Sequence, residues 1–353
     1  MIDSQGGAPE GGLVNIGEPG AHPEIGVFGA PRPAVPQRVP LAPRTKGCGS
    51  GAGPGTQAPG EFRRLPSWLK IQLPGKGDYA ETKALLREKR MVTVCEEARC
   101  PNLGHCWERG TATIMILGEM CTRRCGFCAV APGKPNGFVD WDEPRRVGES
   151  VEVMKLRHTV ITSVCRDDLK DGGSTIFART IEEVRKRSKT VIEVLIPDFR
   201  GSMENLQRVI DARPEVINHN VETVERLHPV VRPSARYDRS LQVLRRVKAS
   251  GMGIKAKSGI MVGLGETHDE IVRTLEDLRA HDCDLLTIGQ YLRPSQYHLP
   301  VVEYIHPDQF AEYARIAEGL GFESVASGPL VRSSYHADLL AGTVKPGEDS
   351  RSG

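Results

Sequence analysis

Six of the nine cysteines in this chain of 353 residues fall into two triads, Cys95-x4-Cys100-x5-Cys106 and Cys121-x3-Cys125-x2-Cys128. Soft thiolates grouped on a short loop suit zinc or an iron–sulfur cluster. In the second triad, Cys121-Thr-Arg-Arg-Cys-Gly-Phe-Cys128, a single aromatic ring, Phe127, precedes the last sulfur. A cubane cluster has four irons, so a loop with three ligands leaves one iron open to a chelating molecule. A structural zinc site would close with a fourth Cys or His, usually in a second paired knuckle, and none follows at zinc spacing. In the first triad Pro101 and Gly104 oppose a regular helix, so its sulfurs must come from a wrapped loop. Zinc with His105 as fourth ligand remains open there, as do buried cysteines that bind nothing. Two triads so close together favour two clusters.

The elements that must position these loops follow a repeating pattern. Thr111 to Gly118 reads as a buried strand leading into the second triad. Further strands are expected near His158–Val164, Thr190–Ile196, Glu215–Asn218, Ile254–Val262 and Leu285–Gln290. Helical patterns lie near Glu143–Leu156, Thr175–Ser188, Ser202–Ala212, Asp238–Ala249 and Thr267–His281, and Thr267-His-Asp-Glu270 has the form of a capping box. About six β/α units predict an α/β fold, a parallel sheet curled into a partial or complete TIM-like (β/α) barrel. Functional residues of that architecture sit at the C-terminal ends of the strands. Arg166, Asp167, Glu193, Asn218, Lys257, Gln290 and Arg293 are expected there, where carboxylates, amides and cations meet a polar ligand, with Phe127 on the cysteine loop beside them.

Outside the barrel, residues 1–60 hold 14 Gly, 10 Pro and eight charged side chains, too little apolar surface to offset the entropy of ordering, and read as a disordered tail carrying Cys48. Residues 61–110 form an N-terminal extension with the first triad, in which Leu65–Pro74 looks extended and pinned by Trp68, and Asp78 with Glu81 opens a helix through about Arg90. The barrel is expected over 111–300. A helix from His306-Pro307 to about Gly319 and the segment Gly328–His336 occupy 301–340, and 341–353 form a second tail.

A net charge of +2 and a pI of about 8.1 argue against a dedicated nucleic-acid or membrane binder. No stretch approaches about 18 uninterrupted apolar residues and no secretory signal opens the chain, so a cytoplasmic location is expected. An odd cysteine count with six clustered in 34 residues favours metal ligation over disulfides.

Taken together, the two triads, Asn218-His-Asn-Val-Glu-Thr223 and Arg332-Ser-Ser-Tyr335 resemble the lipoyl synthase family of the radical S-adenosylmethionine superfamily, from about Glu61 to Leu340. The resemblance implies insertion of two sulfur atoms at C6 and C8 of an octanoyl chain on a protein lysine. It implies that Cys121, Cys125 and Cys128 hold the 4Fe-4S cluster that cleaves S-adenosylmethionine. Cys95, Cys100 and Cys106 would hold an auxiliary 4Fe-4S cluster, with Ser334 rather than Ser333 completing it. The implied partners are octanoylated carrier domains (2-oxoacid dehydrogenase E2 or glycine cleavage H protein), a low-potential ferredoxin or flavodoxin, and an iron–sulfur carrier for cluster repair. The chemistry agrees with this: octanoyl carbons offer no acidic proton and no leaving group, so only a radical activates them, and the carbon radical then needs sulfur within reach. A hard serine oxygen on a soft iron is a weak tether that eases loss of that iron. Cys165 departs from expectation, since a harder polar residue is expected beside Arg166-Asp-Asp168, and Cys283 reads as a small buried apolar side chain. Arg232, Arg236, Arg239, Arg245, Arg246 and Lys248 form a basic run, read as a solvated helix face in preference to a carrier-docking surface.

Overall fold

Alternating buried strands and amphipathic helices give a wound parallel sheet, seen in a computed structural model that describes residues 65–69, 92–93, 102, 106–107, 110–335 and 337–342. All of them belong to one unit, Gly47–Gly353. The strands are β1 (Val92–Thr93), β2 (Thr111–Ile116), β3 (Met120–Cys121), β4 (Ala131–Pro132), β5 (His158–Ser163), β6 (Val191–Leu195), β7 (Val216–Asn218), β8 (Lys255–Val262), β9 (Leu285–Gln290) and β10 (Ser324–Gly328). The α-helices are α1 (Glu143–Val153), α2 (Ser174–Arg187), α3 (Met203–Asp211), α4 (His228–Val231), α5 (Tyr237–Ala249), α6 (His268–Ala280), α7 (Pro307–Gly319) and α8 (Ala337–Leu340).

The main sheet runs β1-β2-β5-β6-β7-β8-β9-β10, parallel throughout except for β1, which lies antiparallel on the outer side of β2. Among the described residues it stays open, with β1 and β10 as edges. The fold is therefore a partial (β/α) barrel with seven parallel strands, one more than the six expected. The extra strand, β10, pairs with β9 from Ser324↔Leu285 to Gly328↔Gly289. Its sequence, Ser-Val-Ala-Ser-Gly, has small half-buried side chains and so little apolar signal. Helices begin where their caps dictate: Thr267 and Glu270 form a reciprocal capping box at the start of α6, and the Ser202 hydroxyl accepts from Asn205 N–H at the start of α3.

Alternation along each strand sorts its residues between two faces. Ile192, Val194, Ala256 and Val262 join the core under the helices. Glu193 and Lys257 take the opposite, concave face, both at 0 % exposure.

Two local expectations need correction. Leu65–Pro74 is not extended over its described part: Ser67–Leu69 is a 3-10 turn in which Leu69 N–H donates to the Pro66 carbonyl at 3.1 Å. Its buried anchor is Leu69, 1 % exposed, whereas Trp68 is 36 % exposed and meets the His306 ring edge-on at 5.0 Å. The helix expected from Asp78 to Arg90, Cys48, Cys95 and Cys100 lie outside the described residues. Among the described residues no helix is long and apolar enough to cross a membrane.

Candidate active site

β2 ends abruptly because Leu117 (φ 67°) and Gly118 (φ 85°) take left-handed conformations, and the chain turns into β3 and the cysteine loop. Neighbouring strand ends then grip that loop. Thr122 donates to the Cys165 carbonyl through its N–H (3.0 Å) and its hydroxyl (2.9 Å), and the same hydroxyl accepts from Asp167 N–H at 3.0 Å. Gly126 N–H donates to the Val231 carbonyl at 2.9 Å, and Leu299 N–H donates to the Gly126 carbonyl at 3.0 Å. His298 Nε2 lies 3.0 Å from the Cys128 carbonyl, with Ser295 on its other ring nitrogen at 2.8 Å. A Cβ at Gly126 would lie 2.8 Å from Leu299, so glycine is what lets this strap close over the loop.

Arg123, between the first two cysteines, is 4 % exposed. Its guanidinium forms a fork to Asp167 (2.7 and 2.9 Å) and reaches Asp198 at 2.6 Å. Burial pulls the guanidinium pKa down, but these two carboxylates hold it above the usual arginine value. Asp198, 1 % exposed, also accepts from Arg239 at 3.1 Å and is kept ionised by Arg123 against its burial. A buried charge chain thus fixes the cysteine loop to the ends of β5 and β6.

No disulfide joins the described cysteines. Before any metal binds, the three thiols differ: the Cys165 hydrogen bond, opposed by burial, brings Cys121 down to about 6, whereas burial raises Cys125 and pushes Cys128 up to about 12. Metal binding ionises coordinating thiols outright. Among the described residues no three Cys, His, Asp or Glu side chains converge as the ligands of one ion would; a four-iron cluster spreads its thiolates wider. At the end of β5 and in the segment after β7, Ser163 Oγ, Asn220 Oδ1, Thr223 Oγ1 and Arg232 Nε are buried without a hydrogen-bond partner. Soft donors beside unmet hydroxyl, amide and guanidinium groups fit a cluster with an amino-acid nucleoside on it.

The residues expected to meet the nucleoside divide into groups. Glu193, Asn218 and Lys257 come together, but with each other: Lys257 Nζ lies 2.8 and 3.0 Å from the Glu193 oxygens, Asn218 Nδ2 donates to Glu193 at 3.2 Å, and His158 Nε2 is 3.3 Å away. Burial would raise the Glu193 pKa, yet Lys257 and His158 bring it down to about 2. Glu193 and Lys257 lie mid-strand, not at the C-terminal ends, and offer a ligand no surface. Asn218 keeps one buried oxygen unpartnered. Asp167 is engaged by Arg123. Arg166 is spent on Asp168 (2.9 Å) and the carbonyls of Leu117 (3.3 Å) and Phe138 (2.7 Å). Gln290 donates to the carbonyls of Val262, Tyr291 and Glu303 and accepts from Ile305 N–H. Arg293 donates to the His298 and Gln296 carbonyls and so shapes the strap over the cysteine loop. Phe127 packs against Val231, Leu264, Tyr291 and Val301.

Two more charged residues join this loop: Glu222, which the sequence places with Asn218-His219-Asn220 at a strand end, and Arg232, which is 8 % exposed and ends α4 and is not on the solvated helix face expected of it. Both are near enough to Cys125 to act on its thiol. Glu222 has φ 69°, a strained conformation for a non-glycine residue, and burial raises its pKa. Its place after Asn218-His-Asn-Val was visible in the sequence; its backbone was not.

For the auxiliary set, Cys106 and Ser334 are described. Asn102 links their segments: its carbonyl accepts from Cys106 N–H at 3.0 Å and its side-chain amide donates to the Leu330 carbonyl at 2.7 Å. The Ser334 segment turns tightly, Tyr335 N–H donating to the Arg332 carbonyl at 2.9 Å, and crosses β9 where Gly289 leaves no room for a side chain.

Comparison with known proteins identifies the family. Residues 115–278 match the radical SAM superfamily, and residues 54–100 match the N-terminal domain of lipoyl synthase of the radical SAM family. Lipoyl synthase of Rubrobacter xylanophilus is 53% identical over 299 residues, 84% of this chain and 92% of that one. That of Geobacillus thermodenitrificans is 55% identical over 79% of this chain and 94% of its own, and the mitochondrial lipoyl synthase of Nematostella vectensis 53% over 77% and 94%. Among solved structures, coproporphyrinogen III oxidase of Escherichia coli aligns at a TM-score of 0.45 and 13% identity over 70% of this chain and 57% of that one; the sequence relatives carry the assignment. On identity sustained over most of its length, this chain belongs to the lipoyl synthase family of the radical SAM superfamily.

Proposed function

We infer that the chain carries the activity of its family: it inserts two sulfur atoms, at C6 and C8, into an octanoyl group held on the lysine of a carrier domain. When bound, S-adenosylmethionine and two 4Fe-4S clusters supply a radical strong enough to take hydrogen from unactivated carbon, and the sulfur that replaces it.

The chain's own residues do the holding. Cys121, Cys125 and Cys128 ligate on a loop that Thr122, Arg123, Gly126 and the His298–Leu299 strap keep in one conformation. Glu222 and Arg232 bring opposite charges to that loop, suited to the ammonium and carboxylate of an amino acid, while Asn218, Asn220 and Thr223 offer oxygens to ribose hydroxyls. Below them the Glu193–Lys257–His158 group fills the concave face with paired charge. Cys95, Cys100, Cys106 and Ser334 take the auxiliary cluster.

The observation that carries this division is the Asn102 bridge, which ties the Cys106 segment to the Leu330–Tyr335 segment across 228 residues of sequence. It supports one auxiliary site built from both ends of the chain. The required partners are an E2 or H-protein carrier domain, a low-potential donor of the ferredoxin or flavodoxin type, and an iron–sulfur carrier that rebuilds the auxiliary cluster. The setting that suits them is the cytoplasm.

Two variants test the division of labour, each incubated with S-adenosylmethionine, dithionite and an octanoylated carrier domain. Cys125→Ala abolishes 5′-deoxyadenosine formation, at least about 100-fold, on the scale of removing an essential catalytic group. Cys100→Ala retains measurable 5′-deoxyadenosine formation but leaves the carrier mass unchanged. Equal loss of both activities in both folded variants contradicts the assignment.

A further inference from the structure

Four fully buried side chains on the concave face, His158, Glu193, Asn218 and Lys257, form one hydrogen-bonded set. An ionised carboxylate only accepts, at about four lone-pair sites. Glu193 has its sites filled: Oε1 takes Lys257 Nζ at 2.8 Å and Asn218 Nδ2 at 3.2 Å, and Oε2 takes Lys257 Nζ at 3.0 Å and His158 Nε2 at 3.3 Å. The carboxylate is thus complete without a ligand.

Asn218 is the member of this set that stands at the C-terminal end of its strand. It closes β7, whereas His158 opens β5 and Glu193 and Lys257 lie within β6 and β8. Its backbone is clamped: the Asn218 carbonyl accepts from Ile196 N–H at 2.9 Å, and the next N–H, of His219, donates to the Lys257 carbonyl at 3.0 Å. What remains to be set is which way the amide faces. Turned over, it would put its oxygen against the Glu193 carboxylate, acceptor on acceptor, so Glu193 holds Nδ2 and turns Oδ1 away from itself. Asn218 Oδ1 is buried and has no partner among the described residues. An acceptor left so costs stability until a donor meets it.

We propose that Glu193, neutralised by Lys257, is a positioning residue for S-adenosylmethionine: it fixes the Asn218 amide with its oxygen as the acceptor for a ribose hydroxyl. The proposal rests on the reading that Asn218 meets the nucleoside. It deepens that reading, since it gives the buried ion pair, which itself offers a ligand no surface, a part in recognition.

The test measures binding in the absence of reductant, so that no S-adenosylmethionine is cleaved. The full chain, reconstituted with iron and sulfide and its cluster content measured, is titrated with S-adenosylmethionine and with the 2′-deoxy and 3′-deoxy analogues. The parent binds at least one analogue about tenfold more weakly, the scale of one hydrogen bond. Asn218→Ala loses that preference. Glu193→Met with Lys257→Met removes carboxylate and cation together at similar shape, which a core tolerates better than one unpaired charge, and loses most of the preference as well. A merely structural role would weaken all three ligands in proportion and leave their ratio where it was. If the Met pair does not fold, Glu193→Leu with Lys257→Leu makes the same comparison. A parental preference retained in the loaded Met or Leu pair but lost in Asn218→Ala overturns the proposal. A preference absent from the parent, or retained in Asn218→Ala, overturns the reading beneath it.

Discussion

Arg123 lies between two cysteines and was legible only as a spacer, yet it is the most constrained side chain of the loop, with both available carboxylates, Asp167 and Asp198, closed on it. Asp167 was expected to meet the nucleoside and instead orients this arginine. Periodicity and spacing place such residues at a strand end but do not say which neighbour will claim them. The histidine after Asn218 shows the same limit. His219 is 1 % exposed, its ring 2.8 Å from the Ile196 carbonyl and 3.0 Å from the Ser240 hydroxyl, and burial lowers its pKa to about 4. The unfolded chain binds a proton there near pH 6.5 that the folded chain refuses until about pH 4. Stability therefore falls as pH drops through that window, by up to about 1.4 kcal/mol per pH unit for one proton. Carboxylates such as Glu193, lowered to about 2, are lost only below about pH 4.5. Urea midpoints between pH 6.5 and 4.5 should decline less steeply in His219→Gln than in the parent; of the slope that remains, His228, also lowered to about 4 by burial, adds to the decline and Glu143, raised to about 7 by burial, opposes it. An unaltered slope would show that His219 does not titrate as described.

At the level of elements, the long helices and their caps could be read directly, because Thr267-His-Asp-Glu270 and Ser202 announce their own hydrogen bonds. β10 could not, since strand detection depends on apolar alternation and Ser-Val-Ala-Ser-Gly has almost none. Its importance is geometric. β10 and the turn after it lay the Arg332–Tyr335 segment across Gly289 of β9, where an added Cβ would overlap the Val331 carbonyl oxygen, a backbone atom that cannot rotate away. Gly289→Ala should displace that segment more than the cysteine loop, which is held by Cys165, Asp167, Asp198 and Val231 as well as by the strap after β9. The cost should be about 1–3 kcal/mol in stability. Lipoyl product should fall at least tenfold with 5′-deoxyadenosine formation nearly intact, both followed by mass spectrometry of one reaction. Parallel loss of the two products would mean that the segment does not serve the auxiliary site separately.

For the molecule as a whole, the two cysteine triads lie on the segments leading into β2 and following it, and Asn102 draws in the C-terminal segment from the other edge of the sheet. Among the described residues the sheet stays open with β1 and β10 as its edges, and Asn102 meets the segment that follows β10. We propose that the chain supplies sulfur from its own auxiliary cluster. It is tested most directly by reconstituting the protein with heavy-isotope sulfide and allowing a single turnover with an octanoylated carrier domain, S-adenosylmethionine and unlabelled reductant. The carrier should gain two heavy sulfurs, in no more than one equivalent per chain. Unlabelled lipoyl product, or an unchanged carrier mass from protein with both clusters loaded, would contradict it.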